Sequence, residues 1–289
     1  LSLFNRSNQD EIRHFFLILS SKRTMQLIME TNNKLGEYTF KVLPFEVDFR
    51  EKLTLPHLTN YILNSAGYHS ESLGFGIQKI NKESNKSWVL SRLAIEMVQY
   101  PKNYDKIQVQ TWVEGVMRTF SFRNFAFLSK EGEVLGYARS IWAMIDITTR
   151  KPTNMTDIIL PEFFNKEKEC PIAKSGKIPA IDVDALETFK VKYSDIDFNQ
   201  HLNSAKYIEH IIDSFTLYKF SKRDIKRFEV DFIAESTFGE TISIHKKESE
   251  NNDFLVELRN ENNETICRSK ISFSDKILHN DYNINKVRE

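Results

Sequence analysis

Cysteine is nearly absent: Cys170 and Cys267 are the two thiols in 289 residues. Two thiols make no disulfide framework and suit a reducing compartment, so a cytoplasmic protein is expected. No CxxC pair and no His/Cys cluster occurs, which removes the usual metal-ligand spacings, and no metal is expected. Cys267 lies in the strand-like stretch Thr265-Ile266-Cys267-Arg268, where a small buried hydrophobe is the simpler reading. Cys170 sits in a polar, Pro-flanked stretch with no base nearby in sequence. Long apolar runs are missing as well. A membrane-spanning helix needs about 18 consecutive apolar residues, and no such window is found. Forty basic residues balance forty acidic ones, so net charge gives no reason to expect nucleic acid or a membrane surface as a partner.

The first 36 residues are weakly specified. Their apolar run Phe15–Leu19 follows Arg13-His14 and is too short for a signal-peptide core. Met25 and Met29 are candidate alternative starts. Elsewhere the composition is that of a globular protein, 40% hydrophobic and 28% charged. Aromatics are plentiful, with 22 Phe, 10 Tyr and 3 Trp, a usage that leans toward sheet.

The most informative segment is Asp195-Ile196-Asp197-Phe198-Asn199-Gln200-His201-Leu202-Asn203. A carboxylate, an amide and an imidazole alternate in it at Asp197, Asn199 and His201. A helical pattern follows at once, with Ala205, Ile208, Ile211, Ile212 and Phe215 at spacings of three and four. Three kinds of hydrogen-bonding group therefore meet at a helix N-terminus, where unpaired N–H groups favour developing negative charge. Hydrolysis of an acyl compound needs such donors for its oxyanion. A capped helix start with a surface His would carry the same short pattern, so the wider sequence has to decide.

The wider sequence is repetitive. Phe40-Lys41-Val42 returns as Phe189-Lys190-Val191, and at the same offset Asp48 matches Asp197, Leu53 matches Leu202, Ile62 matches Ile211 and Ser65 matches Ser214. Each copy reads strand, turn, helix and then several strands. In the first, Thr54 is the expected N-cap before Pro56, Leu58, Ile62 and Ala66 form the apolar stripe, and Gly74 and Gly76 end the helical region. Strands are expected over 88–101, 107–116, 119–128 and 134–146, then over 228–234, 241–247, 254–259 and 265–273, with hairpins at 129–132 and 260–263. The stretch 151–185, with Pro152, Pro161, Pro171 and Pro179, reads as a linker. The expected architecture is α+β, two tandem units of 37–152 and 188–289 joined by 153–187, each a long helix wrapped by a twisted antiparallel sheet. Their sheets can pair edge to edge as a pseudo-dimer, which places a ligand site at the seam. Whether chains also form a homodimer stays open. Opposite Asn199-Gln200-His201 the first copy has Arg50-Glu51-Lys52, so one active site per chain is expected, in the second half.

A fourth group comes from Val230–Ser236. Its period-two pattern makes a strand ending at Glu235, and in a sheet packed on the helix that strand end is expected to approach the helix start, where a partly desolvated carboxylate is a natural general base for water.

Together these segments resemble the signatures of the plant and bacterial acyl-acyl carrier protein (acyl-ACP) thioesterases. The first runs from Asp195 to Glu209, and the second is the strand ending in Glu235. The first half resembles the family through Leu58–His69, Ser87–Arg92 and Gly136–Trp142, and the likeness covers roughly 37–275. The resemblance implies a double hot-dog fold, a fatty acyl thioester borne on acyl carrier protein as substrate, and no cofactor. The family's catalytic positions fall on Asp197, Asn199, His201 and Glu235. Ser236 stands where many members have Cys, which puts a Cys nucleophile in doubt and favours attack by water. Glu235 is then the base, Asn199 holds the carbonyl oxygen or the water, His201 orients water or protonates the thiolate, and Asp197 holds both in place. Spacing leaves the division of roles between Asn199 and His201 open. Leu58, Ile62, Ala66 and Ser236 are expected to touch the acyl chain, although most of the apolar helix residues are core. Because the family's carrier is acidic, the basic cluster Lys219, Lys222, Arg223, Lys226 and Arg227 is its expected dock. Two alternatives have the same fold: an acyl-CoA thioesterase and a non-catalytic acyl-thioester-binding module. A dehydratase fits the motif less well.

Overall fold

A computed structural model describes residues 34–249 and 253–274. The proposed starts Met25 and Met29 and the apolar run at 15–19 lie outside them. The first half runs β1 (Gly36–Lys41), α1 (Leu55–Ser72), α2 (Ile77–Ser84), β2 (Lys86–Met97), β3 (Lys106–Met117), β4 (Phe120–Ser129) and β5 (Val134–Asp146). The second runs β6 (Ala185–Lys190), α3 (Ser204–Asp213), α4 (Leu217–Lys222), β7 (Ile225–Phe232), β8 (Thr241–Glu248), β9 (Asp253–Arg259) and β10 (Thr265–Phe273). All ten strands form one sheet in the order β1-β3-β4-β5-β2-β7-β10-β9-β8-β6, with every neighbouring pair antiparallel.

The halves are joined where β2 pairs with β7, from Arg92 opposite Asp231 to Glu96 opposite Arg227. Each half-sheet thereby loses an open edge. The helices lie on one side of the sheet, and α1 packs against α3. Leu58 and Ile62 of α1 share a buried cluster with Ile208 and Ile211 of α3 and with Leu93, Phe228 and Val230 of the central strands. A fully buried Leu or Ile contributes about 1.5–3 kcal/mol, so this shared core helps hold the two halves together.

The repeat is exact in backbone detail around the helix starts. A short 3-10 turn at Pro44–Glu46 has its equivalent at Tyr193–Asp195. The Asp48 carboxylate accepts from the N–H groups of Arg50 (2.8 Å) and Lys52 (3.2 Å). Asp197 accepts in the same way from Asn199 (2.8 Å) and His201 (3.3 Å). Glu51 and Gln200 both take left-handed backbone, at φ 62° and 69°. What has diverged is the side chains. Arg50, where the second half has Asn199, is buried and reaches Asp224 of the other half at 2.9 Å. Lys52, where the second half has His201, reaches the same carboxylate at 2.7 Å. The first copy of the motif has become a clasp between the halves.

Several expectations need correction. The second half lacks one long helix: α3 is ten residues, and the chain breaks at Ser214 before α4 starts behind Thr216, whose hydroxyl accepts from Lys219 N–H. Phe215, expected on the helix stripe, is buried between them against Phe220, Phe254 and Phe273. Gly74 does end α1, at φ 81°, but Gly76 caps the start of the unforeseen α2. Thr54 is the N-cap residue of α1 by position, yet its hydroxyl bonds His57 Nδ1 at 2.9 Å instead of the helix backbone. The Pro-rich connection is no free tether, because Met155, Ile159, Cys170, Ile172, Ile178 and Ile181 along it are buried. Cys267 is fully buried, in line with a packing role, and burial pushes both thiols up.

Removing the clasp tests its weight. Arg50→Ala should lower the unfolding free energy by about 3 kcal/mol, the low end for breaking a buried ion pair, because Lys52 still faces Asp224. An unchanged midpoint in urea denaturation would show that the clasp contributes nothing.

Candidate active site

The site is assembled by backbone hydrogen bonds between two segments of the second half. Asp197 closes the turn 197–201, where its N–H donates to His201 O at 2.9 Å and its carboxylate takes the two amides named above. Asn203 then caps α3, its side chain accepting from Ala205 N–H at 2.8 Å. The turn is laced to the segment beyond β7. His201 forms an antiparallel bridge with Thr237, and Leu202 N–H donates to Ser236 O at 2.8 Å. This lacing sets Glu235 opposite the imidazole, with His201 Nε2 and Glu235 Oε2 3.4 Å apart. β7 ends at Phe232, earlier than the alternation suggests, so Glu235 lies in the loop past the strand.

The first half supplies a residue that sequence reading missed. Arg150, in left-handed backbone (φ 56°) just after β5, ion-pairs with the Glu235 carboxylate. Nothing in its sequence context marks it, because Glu235 is 85 positions away and the contact exists only once the halves are paired. The Arg150 and Glu235 side chains are about two-fifths exposed and His201 about one-quarter, so the cluster is wetted at one side. The Asn199 amide is exposed and has no side-chain hydrogen bond among the described residues, which leaves its N–H groups available to a ligand. Tyr207, one turn into α3, donates to Ala234 O at 3.3 Å, and burial pushes its phenol up, so it stays a neutral wall of the site.

Asn199, His201, Glu235 and Arg150 stand between two hollows and line both. One is a cavity of about 770 Å³, walled by α1 and β2 of the first half and by α3 and the end of β7 of the second. The other is a recess rimmed by Tyr193 and Phe238, both largely exposed. Two openings on one polar cluster suit a substrate whose two arms extend in different directions from a reacting bond.

Asp197, Asn199, His201 and Glu235 are thus brought together at the seam. The expected binding residues are only partly so. Ala66 lines the cavity, whereas Leu58 and Ile62 are fully buried in the core one helix face away, and Ser236 is buried beneath the loop. A periodic apolar stripe identifies the side of α1 facing the core. The side facing the cavity is instead Asn60, Leu63, Asn64, Gly67 and Tyr68, a mixed set with no hydrophobic signature. The basic cluster is not a free basic face. Arg227 is held by Glu96 (2.9 Å) and Glu229 (2.7 Å), and Arg223 donates to Ser274 O. Lys219 lies over the rings of Phe254 and Phe273, and Lys222 over Tyr218, which leaves Lys226. The cluster also follows the end of α3 remote from His201, about 15 Å along that ten-residue helix. Among the described residues no three His, Cys, Asp or Glu side chains group to hold a metal, and no helix is long and apolar enough to cross a membrane.

A tandem helix-on-sheet pair fused through its central strands, with a polar cluster at the seam, is the double hot-dog architecture. The sequence matches the acyl-ACP thioesterase N-terminal domain over residues 33–163 and the acyl-ACP thioesterase C-terminal domain over 179–275. The chain therefore belongs to the acyl-ACP thioesterase family. It is similar to an acyl-ACP thioesterase from Bacteroides thetaiotaomicron of known crystal structure. The two are 45% identical with a TM-score of 0.78, over 85% of this chain and 99% of that one. Among plant proteins it is 23% identical to the Arabidopsis thaliana chloroplastic oleoyl-acyl carrier protein thioesterase 2, over 83% of this chain and 70% of that protein. It is 26% identical to the chloroplastic palmitoyl-acyl carrier protein thioesterase of Gossypium hirsutum, over 68% of this chain. The match spans only 51% of the cotton protein's length.

The carboxylate-closed turn can be tested without substrate. Each of its hydrogen bonds contributes about 1 kcal/mol, so Asp197→Ala should speed amide exchange at Asn199 and His201 about fivefold. Asp197→Asn keeps an acceptor oxygen and should retain most of the protection. Equal exchange in all three proteins would mean the carboxylate does not hold the turn.

Proposed function

We propose that this protein hydrolyses the thioester of fatty acyl-ACP, releasing free fatty acid and the carrier with its thiol restored. The observation that carries this reading is Glu235 and His201 facing each other 3.4 Å apart, beside the unpaired amide of Asn199, at the mouth of a cavity large enough for an acyl chain. Family membership supports the substrate class, and the similarity to the Bacteroides thetaiotaomicron protein covers nearly all of that chain.

In the proposed reaction the acyl chain occupies the cavity and the thiol arm leaves through the recess rimmed by Tyr193 and Phe238. Glu235 takes a proton from water as the water oxygen bonds to the thioester carbon. The carbonyl oxygen becomes an oxyanion, held by the Asn199 amide N–H and favoured by the N-terminus of α3. As the carbonyl re-forms, the carbon–sulfur bond breaks and the thiolate takes the proton held by Glu235, with His201 orienting the carboxylate and the water. Arg150 is a positioning residue, holding the second carboxylate oxygen so that the first faces the water. Asp197 acts through the turn. The closed turn and the absence of a Cys at 236 both favour water over a protein nucleophile.

A positioned base contributes about 10²–10⁴-fold. Glu235→Ala and His201→Ala should each lower kcat at least roughly a hundredfold with folding intact. The assay is thiol release from acyl-ACP, with the same acyl group on CoA in parallel to compare the two carriers. Near-normal turnover in either variant sinks that residue's role, and no turnover by wild type on any acyl thioester sinks the reaction itself.

A further inference from the structure

Arg123 on β4 is a cation without a counter-ion, set in the wall of the acyl cavity. Its side chain is almost wholly buried, yet it makes no ion pair with a carboxylate among the described residues, and a titratable group beside it is the phenol of Tyr38, which burial pushes up. The guanidinium donates from Nη1 to His69 Nδ1 (2.8 Å) and Thr111 Oγ1 (3.2 Å), and from Nη2 to Ser70 Oγ (3.0 Å). A guanidinium only donates, so His69 accepts through a bare Nδ1 and adds no charge of the opposite sign. Three of its five N–H groups are thereby used, and those that remain have no partner among the described residues. Burial pushes the guanidinium down to about 10, still well above neutrality, so the charge persists.

Its place in the sheet is remote from the chemistry. Arg123 lies opposite Ser140 on β5, Ser140 opposite Leu93 on β2, and Leu93 opposite Val230 on β7. Three strand spacings of about 4.8 Å therefore separate it from the strand that leads to Glu235, about 14 Å across the sheet. The cavity wall carries apolar groups, among them Leu63, Ala66, Leu90, Trp142 and Phe232, alongside the polar Asn60, Asn64, Ser87 and Ser121. Glu235 and Arg123 line the same cavity, so in the thioesterase reading an acyl chain with its carbonyl at Glu235 shares that space with the guanidinium. Water can satisfy the spare donors in the empty cavity. A methyl end that displaced this water would leave a buried charge with unpaired donors, which is costly, whereas an oxygen there would accept from them.

Resting on the thioesterase reading of the site, we propose that Arg123 is a specificity-determining residue marking the distal limit of the acyl cavity. Unsubstituted chains long enough to cover the guanidinium are rejected, and an oxygen atom on the chain end lifts the rejection.

The test compares wild type and Arg123→Met on saturated acyl-ACPs from octanoyl to stearoyl, together with the ω-hydroxy form of each acyl group. For wild type, kcat/KM should fall about tenfold or more at one step of the series, the scale of a misfit in a packed pocket. Restoring it by at least about tenfold should need only the ω-hydroxyl. In Arg123→Met the fall should move to longer chains and the ω-hydroxyl preference should disappear. Binding of the free fatty acids, followed by fluorescence of Trp88 and Trp142 in the cavity wall, should show the same pattern and does not depend on turnover. It also decides the matter with wild type alone should Arg123→Met fail to fold. A wild type that binds and cleaves ω-hydroxy and plain chains alike overturns the proposal. A wild type that binds chains in the expected pattern but cleaves none overturns the thioesterase reading and leaves the cavity limit standing.

Discussion

The pairing of β2 with β7 is the constraint on which everything else rests. Two half-sheets, each with its own helix, would be ordinary α+β units if they stood apart. Once fused along one ladder they share a core, and their helices come to lie side by side on the same face. The cavity opens beside that shared core with walls from both halves, and the polar cluster gathers where it meets the α3 N-terminus. Arg150 reaches Glu235, and Arg50 and Lys52 reach Asp224, only because this ladder fixes one half against the other.

The repeated turn shows how one backbone solution came to serve two purposes. Both copies close a five-residue turn on an aspartate and place the fourth residue in left-handed backbone. Left-handed backbone costs a non-glycine residue about 1 kcal/mol, and both copies tolerate it because the side-chain carboxylate satisfies two amides that would otherwise point into the turn. The geometry is thus structural in origin. In the second half the positions on either side of that residue carry an amide and an imidazole facing a carboxylate. In the first they carry two cations facing one, and the result is a clasp between the halves.

The two cations nearest the cavity contrast instructively. Arg150 is partly exposed and paired with Glu235, so its ion pair adds little to stability and chiefly fixes the direction of a carboxylate. Arg123 is buried and has only neutral partners, a costly arrangement for the fold. The cost is tolerated where a cavity lets water or a ligand oxygen complete the shell.

The sequence by itself determined the repeat, the turn-to-helix motif and most strands, because each is a local pattern: alternation over 134–146 and 265–273, threefold and fourfold spacing after Asn203, and matching residues at a fixed offset. It also showed that the two copies differ at the turn, since Asn199 and His201 stand where the first copy has Arg50 and Lys52. Only the tertiary structure decided what those patterns meet. Lys219, Arg223 and Arg227 form a dense cluster in sequence, yet in the fold each is engaged by a ring, a carbonyl or a carboxylate from elsewhere. Leu58 and Ile62 show the period of a buried face, and the period cannot say whether that face meets core or cavity. Arg150 and Arg123 had no local signature because their partners lie far along the chain or across strands. Charge and hydrogen bonding act over ångströms in space, and linear order records those distances only where the chain stays close to itself.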